Sequence, residues 1–304
     1  MKKRERQVKL TLTNILFLLR CGRFYLLIIS IFSLTSSLPQ ESFANKVLSD
    51  TFVSIVKSTK ASIVNIHTTK ILKVSTQKRG FRIKGQGSGV IYNSQGFIVT
   101  NKHVVKDAGE IITRLYDGSE YKAKIVGTDE RSDIVVLKID AEKLTPAKFG
   151  NSDSLELGEI VLAIGNPIGL GQVVTSGIIS AKGTSNLRIT GFEDFVQTDA
   201  IINQNSYGGP LVNMDGEVVG ISTLPPEQTA GYFGISLAIP INVVNKAAED
   251  LIKHGRVTRG WLGVTAQPVT RELQKALGLK NNLGALISDI EPGSSAANAG
   301  VKCG

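Results

Sequence analysis

Cysteine is almost missing from this chain: Cys21 and Cys303 are the only two in 304 residues. No disulfide framework can hold the fold together, so stability must come from a packed core. Histidine is nearly as scarce. His67, His103 and His254 are the three present, and none has a Cys or His partner at ligand spacing. No metal site is expected, and no cofactor: Gly85-Gln-Gly-Ser-Gly89 lacks the Lys-Ser/Thr and the following helix of a phosphate loop. Aromatics make up only 6%, with one Trp. A long apolar run is also absent. The mostly apolar stretch Phe24–Leu34 has eleven residues, short of the ~20 that a spanning helix needs.

What is present is charge, glycine and short β-branched runs. The net charge is +9, which invites a nucleic-acid reading until its position is checked. Seven Lys and Arg against two acidic residues fall within the first 44 residues, so +5 of the +9 sits there. A basic start, a short apolar stretch and small residues at Ser42 and Ala44 have the form of a secretory signal peptide over residues 1–44. The alternatives are a retained membrane anchor and a leader with no targeting role. Extending the apolar stretch upstream to Leu10 would bury Arg20 and Arg23 in lipid. The remaining +4 gives no case for nucleic acid.

Val47, Leu48, Phe52, Val53, Ile55 and Val56 recur at helical spacing, which predicts a short amphipathic helix within 45–60. From Ile63 the pattern changes to short apolar runs separated by turn signals. About a dozen strands are predicted, among them Ile63–Thr69, Gly96–Thr100, Tyr121–Val126, Asp133–Ile139, Ile160–Ile164 and Glu217–Thr223. Asn93-Ser-Gln-Gly96, Asn166-Pro167 and Asp215-Gly216 are among the turns between them. No βαβ rhythm appears, so antiparallel barrels or a sandwich are expected. Ile241–His254 reads as an amphipathic helix stopped by Gly255. The basic run Lys78–Lys84 is expected to be a solvated loop. Arg259–Gly304 begins afresh and is thin for a domain, which suggests a truncated unit.

The chemistry is carried by three stretches in order. His103 lies in Val99-Thr-Asn-Lys-His-Val-Val105, Asp133 opens the apolar run Asp133–Ile139, and a Gly-Gly-Pro loop follows in Gln197–Val212. His, Asp, then a glycine loop is one of the known orders of a serine-protease triad. Together with Gly85–Ile91, Ala163–Gly171, Val174–Ser180, Gly208–Asn213, Asp215–Gly220 and Gly234–Pro240, these stretches resemble the HtrA/Do family of trypsin-like serine proteases with PDZ domains.

The resemblance implies an all-β fold: a trypsin-like double β-barrel with flanking helices over 45–257, then a partial PDZ domain over 258–304. It implies His103 as general base and Asp133 as its orienting partner. It implies an exported, periplasmic or extracytoplasmic protein that acts on unfolded polypeptide and assembles as a trimer. Ile201 matches the position that sets side-chain preference in trypsin-like proteases. With Ile235 and Leu237 on the wall strand, it implies an apolar pocket for small aliphatic residues; plain core packing of Ile201 is the alternative. Gly260, Trp261, Leu262 and Gly263 resemble the loop that binds a peptide carboxylate in PDZ domains, and Glu291–Gly300 the helix after it.

The nucleophile loop departs from the family. The family reads Gly-Asn-Ser-Gly-Gly-Pro; this chain reads Asn205-Ser206-Tyr207-Gly208-Gly209-Pro210. Tyr207 occupies the serine position, Ser206 the asparagine position, and Asn205 the glycine position. Asn205 and Tyr207 would then carry the oxyanion-hole amides. Three readings stand. The loop is degenerate and the protein binds without cutting; or the loop shifts by one residue and Ser206 serves as nucleophile; or a codon lost before Asn205 and one gained after Ser206 conceal the family motif.

Overall fold

A computed structural model describes residues 40–72, 81–165, 171–187, 189–223 and 234–304. The apolar stretch of the leader and the Asn166-Pro167 turn lie outside the described residues. Among the described residues, no helix is long and apolar enough to cross a membrane. Helix α1 (Gln40–Thr59) comes first and runs through Ala44, so the anticipated cleavage point falls inside a helix. Its Ile55 is buried, with Phe52 and Val56 packed beside the same core. The helical spacing seen in the sequence is the spacing that places these three on one side.

The first sheet is built from β1 (Ile63–Leu72), β2 (Phe81–Ile91), β3 (Phe97–Asn101), β4 (Glu110–Arg114), β5 (Glu120–Lys122), β6 (Lys124–Asp129) and β7 (Ile134–Lys138). A one-turn helix, α2 (Lys102–Val105), interrupts it after β3. The strand order is β5-β4-β1-β2-β3-β7-β6, with every pair antiparallel. The single strand expected over Tyr121–Val126 is two strands. Ala123 separates them: it is buried, and its N–H still bonds Ile111 O of β4 at 2.9 Å. From Lys124 the chain pairs with β7 instead. Half of the basic run expected to be a loop is strand, because Phe81–Lys84 open β2 and pair with β1.

The second sheet contains β8 (Ile160–Gly165), β9 (Val173–Thr184), β10 (Phe195–Thr198), β11 (Pro210–Val212), β12 (Val218–Thr223) and β13 (Ser236–Pro240). It closes as a six-stranded barrel, β10-β13-β12-β11-β8-β9, with β9 returning to β10. The expected pair of barrels is thus one closed barrel beside one curled sheet whose ladder stays open among the described residues.

Strand alternation sorts the side chains into three clusters. Val64 and Ile66 of β1 meet Ile91, Ile98 and Leu137 inside the first sheet. Ile63, Val90, Val99, Ile134 and Val136 point the other way and join Leu162, Ile164, Phe195, Val212 and Ile239 of the barrel. β7 is apolar without alternation because both of its faces are buried. Helix α3 (Ile241–His254) seals this shared core with Val244, Ala247, Ala248 and Leu251. It ends at Gly255, φ 68°, whose N–H bonds Leu251 O at 2.9 Å. Beyond it lie β14 (Val264–Pro268), α4 (Arg271–Ala276), β15 (Ala285–Ile290) and α5 (Ser295–Asn298). β14 and β15 pair only with each other.

Candidate active site

His103 stands on α2, and its position follows from the strand before it. Thr100 and Asn101 finish β3 fully buried, and the chain then turns into α2 with Lys102 N–H on Asp133 O at 2.8 Å. Asp133 opens β7 at φ 58°, the left-handed region that a short polar residue tolerates. This conformation turns the carboxylate toward His103. Oδ1 accepts the His103 backbone N–H at 3.0 Å, and Oδ2 lies 2.6 Å from Nδ1. A proton on Nδ1 leaves Nε2 as the unprotonated nitrogen. Thr223 Oγ1, at the end of β12, donates to Oδ2 at 3.4 Å. It therefore ties the barrel to the first sheet through Asp133. Nothing in its own sequence context singled out Thr223; the packing of the barrel against the first sheet brings it there.

The glycine loop approaches from the barrel. Gly208 sits at φ 84°, and a Cβ there would overlap Thr100 Oγ1 and Ser88 O, so the position takes only glycine. Ser88 N–H donates to Tyr207 O at 2.8 Å, Ser88 Oγ to Asn205 O at 3.3 Å, and Gly208 N–H to Ser222 O at 2.9 Å. These bonds stitch the loop to β2 and β12. The loop is thus fixed from two sides. The Tyr207 ring stands edge-on to the His103 imidazole, with centroids 5.7 Å apart and planes at 72°. Burial pushes the Tyr207 phenol above its ordinary range, so the hydroxyl stays protonated at neutral pH.

Ser206 does not take the nucleophile's place. Its side chain lies over Gly165 at the end of β8, where a glycine Cβ would come within 2.5 Å of its Oγ. His103 Nε2 is buried without a hydrogen-bond partner among the described residues, so neither the Ser206 nor the Tyr207 hydroxyl reaches it. One of the two expected oxyanion amides, that of Tyr207, is engaged within the loop. Gln204–Ser206 form a 3₁₀ turn, and Tyr207 N–H closes it on Gln204 O at 3.4 Å. That amide points back into its own turn and away from a developing oxyanion.

The residues expected to line a side-chain pocket separate. Ile201 is 66% exposed, which excludes the core-packing alternative. Ile235 is half-buried against the shared core, and Leu237 is 1% exposed inside it. Leu237 faces inward because β13 alternates, so it lines no cleft; Ser236 on the other face accepts the Ile202 N–H at 3.3 Å. In the C-terminal unit, Trp261 and Leu262 are exposed, and Gly263 takes φ 73°. The loop is held by Glu291 N–H on Gly263 O and Ala296 N–H on Leu262 O, each at 2.9 Å. No group of metal-binding side chains occurs among the described residues.

Residues 87–221 match the trypsin-like peptidase domain. A protein of Chlamydia trachomatis serovar D named probable periplasmic serine endoprotease DegP-like is 49% identical over 217 residues, 71% of this chain and 44% of the relative. The protein of the same name in Pseudomonas fulva is 48% identical over 218 residues, 72% of this chain and 45% of the relative. Among solved structures, the HtrA-type protease AlgW with a decapeptide aligns at TM-score 0.70 and 36% identity, covering 83% of each chain.

The chain belongs to the HtrA/Do family.

It spans a little under half the length of the two DegP-like relatives. Within the matched region, His103 and Asp133 are joined by a hydrogen bond, and the Tyr207 ring lies edge-on to His103. A second HtrA-type structure, the serine endoprotease from Yersinia pestis, aligns at TM-score 0.60 and 38% identity, covering 83% of this chain and 79% of that one.

Proposed function

We propose that this chain is the protease-fold region of an HtrA-type protein that binds extended, unfolded polypeptide and does not cleave it in the arrangement described. The observation that carries this reading is the Tyr207 ring, edge-on to His103 at 5.7 Å. A nucleophilic hydroxyl works from hydrogen-bond reach of its base, and in this substrate-free arrangement His103 Nε2 has no such partner among the described residues. Polypeptide as the ligand is supported by AlgW, solved with a decapeptide. An extracytoplasmic site of action is supported by the relatives named periplasmic and by the signal-like pattern of residues 1–44.

Residues 258–304 serve in this reading as the front half of a PDZ domain, whose Gly260–Gly263 loop takes a peptide C-terminus. The exposed Trp261 and Leu262 beside the fixed Gly263 support it. The family's trimer is the proposed assembly. The hydrogen-bonded His103–Asp133 pair favours a second reading, an endopeptidase whose loop rearranges around substrate so that Ser206 reaches His103. That rearrangement must lift Ser206 off Gly165 and open the Gln204–Tyr207 turn.

Casein and a quenched fluorescent peptide separate the two readings. The parent protein and its Ser206→Ala variant should show the same background rate, while unfolded casein still binds both. A parent rate that Ser206→Ala abolishes would overturn the non-cleaving reading.

A further inference from the structure

A groove of about 1010 Å³ opens beside His103 and Tyr207 and runs outward over the first sheet. Register builds its floor. His67 pairs with Gln86 and Thr69 with Lys84 between β1 and β2; Asn65 pairs with Arg114 between β1 and β4. Residues paired across strands share a face, so His67, Lys84 and Arg114 present their side chains on one surface. Lys84 and Arg114 belong to no ion pair among the described residues. Of the other charges on the lining, Lys70 is engaged with Asp107 at 3.9 Å, which leaves Glu120 against the two cations. The groove therefore carries excess positive charge.

Two polar atoms on the lining lack partners. Thr68 is 2% exposed with its Oγ1 unbonded, and His103 Nε2 is likewise unbonded. Both atoms are covered in this arrangement, and Thr68 lies on the other face of β1 from His67, so they sit beneath the groove surface, and what that surface offers a ligand is its charge. His67 supplies a neutral contact. Burial pulls its imidazole down, Glu120 opposes this, and Arg114 and Lys84 add to it. Gln86 Nε2 donates to its Nδ1 at 3.4 Å.

The geometry points to this groove as a binding track for an extended polypeptide segment bearing Asp or Glu side chains, laid along β1 and β2 with its acid between Lys84 and Arg114. This rests on the polypeptide-binding reading above and adds the charge class of the bound segment. Charge complementarity selects the occupant: Glu120 stands opposite Arg114 across β4 and β5, and the two cations together still exceed it, so a basic segment is disfavoured.

Fluorescence anisotropy on the full chain tests it, with three labelled, unstructured peptides of Ser, Ala and Val. They differ only in carrying Asp, Asn or Lys at the same central positions. The Asp peptide should bind about fivefold more tightly than the Lys peptide at low salt, the size expected of a pair of part-exposed charge contacts. Raising the salt to about 0.5 M should erase the difference. Lys84→Gln with Arg114→Gln should make the three peptides equal while thermal unfolding and circular dichroism stay at parent values. Equal binding by the parent, or an Asp preference that survives the double variant, overturns the acidic track and leaves polypeptide binding standing. Failure of every peptide to bind overturns the polypeptide reading and the track with it.

Discussion

A tyrosine at the family's serine position carries its hydroxyl several ångströms farther from the backbone than a serine does, and it fills the intervening space with a ring. At Tyr207 the ring rests against His103, and the backbone amide that should face an oxyanion closes a 3₁₀ turn on Gln204. Two faults therefore coexist, one in the side chain and one in the main chain. Tyr207→Ser alone corrects only the first. Asn205 lies inside that turn, and Gly at 205 widens the backbone conformations open to the loop. The variant Asn205→Gly, Ser206→Asn, Tyr207→Ser restores the family's loop in full. We expect measurable peptide hydrolysis from the triple variant, with Tyr207→Ser at least about 10²-fold slower, since one lost oxyanion donor costs about 10²–10³ in rate. A single substitution that equals the triple variant would show that the main-chain turn is no obstacle.

At the scale of elements, the turn between β6 and β7 decides where Asp133 points, and it is held from outside both sheets. Arg259, past the end of α3, forks onto Asp129: Nη1 donates to Oδ1 at 2.6 Å and Nη2 to Oδ2. Asp129 is 4% exposed and also accepts from the Ser132 hydroxyl and, at 3.3 Å, from Arg131 N–H. Burial alone would raise this carboxyl. The Arg259 guanidinium and the Ser132 and Arg131 bonds outweigh it and hold the carboxyl below its ordinary value. A depressed carboxyl stabilises the fold above its unfolded value and loses that contribution as the pH falls through the folded value. Arg259→Ala leaves a buried carboxylate without its cation, which costs about 3 kcal/mol. The loss of thermal stability should be largest near neutral pH. It should shrink as the pH is lowered through the acid range, because protonating Asp129 removes the unpaired charge. Asp129→Asn with Arg259→Ala should show no such pH dependence when melting is followed by circular dichroism.

The same elements show where sequence reading succeeds. The α3 boundaries are legible because apolar periodicity, a basic last turn and Gly255 agree at one place. The order of the strands is legible from β-branched runs between turns. Ala123 is not: a strand that changes partners has no signature in a period-two pattern, and only the pairing of Lys124 with Lys138 shows the switch. His103 and Asp133 are legible by resemblance to the family motif. Thr223, Arg259 and the Lys84–Arg114 surface come from segments far apart in sequence. Strand register and tertiary packing bring them together, and neither is written in a local pattern.

For the whole molecule, the question is whether two sheets amount to two folding units. The shared cluster argues that they do not. Ile63, Val90, Val99, Ile134 and Val136 come from the first sheet, Leu162, Ile164, Phe195 and Ile239 from the barrel, and Val244 and Leu251 from α3, all in one contiguous core. Neither sheet can expose that face without losing the apolar burial that holds it, so both should unfold in one transition. The C-terminal unit stands differently. Within 258–304 only Gly263, Val269, Ser294 and Ala296 are buried, and β14–β15 make no pairing with either sheet. A two-stranded ribbon with so small a core is marginal by itself. Leu251→Ala removes a side chain with 0% exposure at the junction of α3 with both sheets, and should cost about 2–5 kcal/mol. Calorimetry should show one main endotherm that moves down as a unit. Native-state hydrogen exchange should report the same loss for amides of β7 in the first sheet and β12 in the barrel, with β14 and β15 unaffected. Two endotherms, or a loss confined to one sheet, would mean that the sheets fold independently and that the His103–Asp133 pair depends on docking between finished domains.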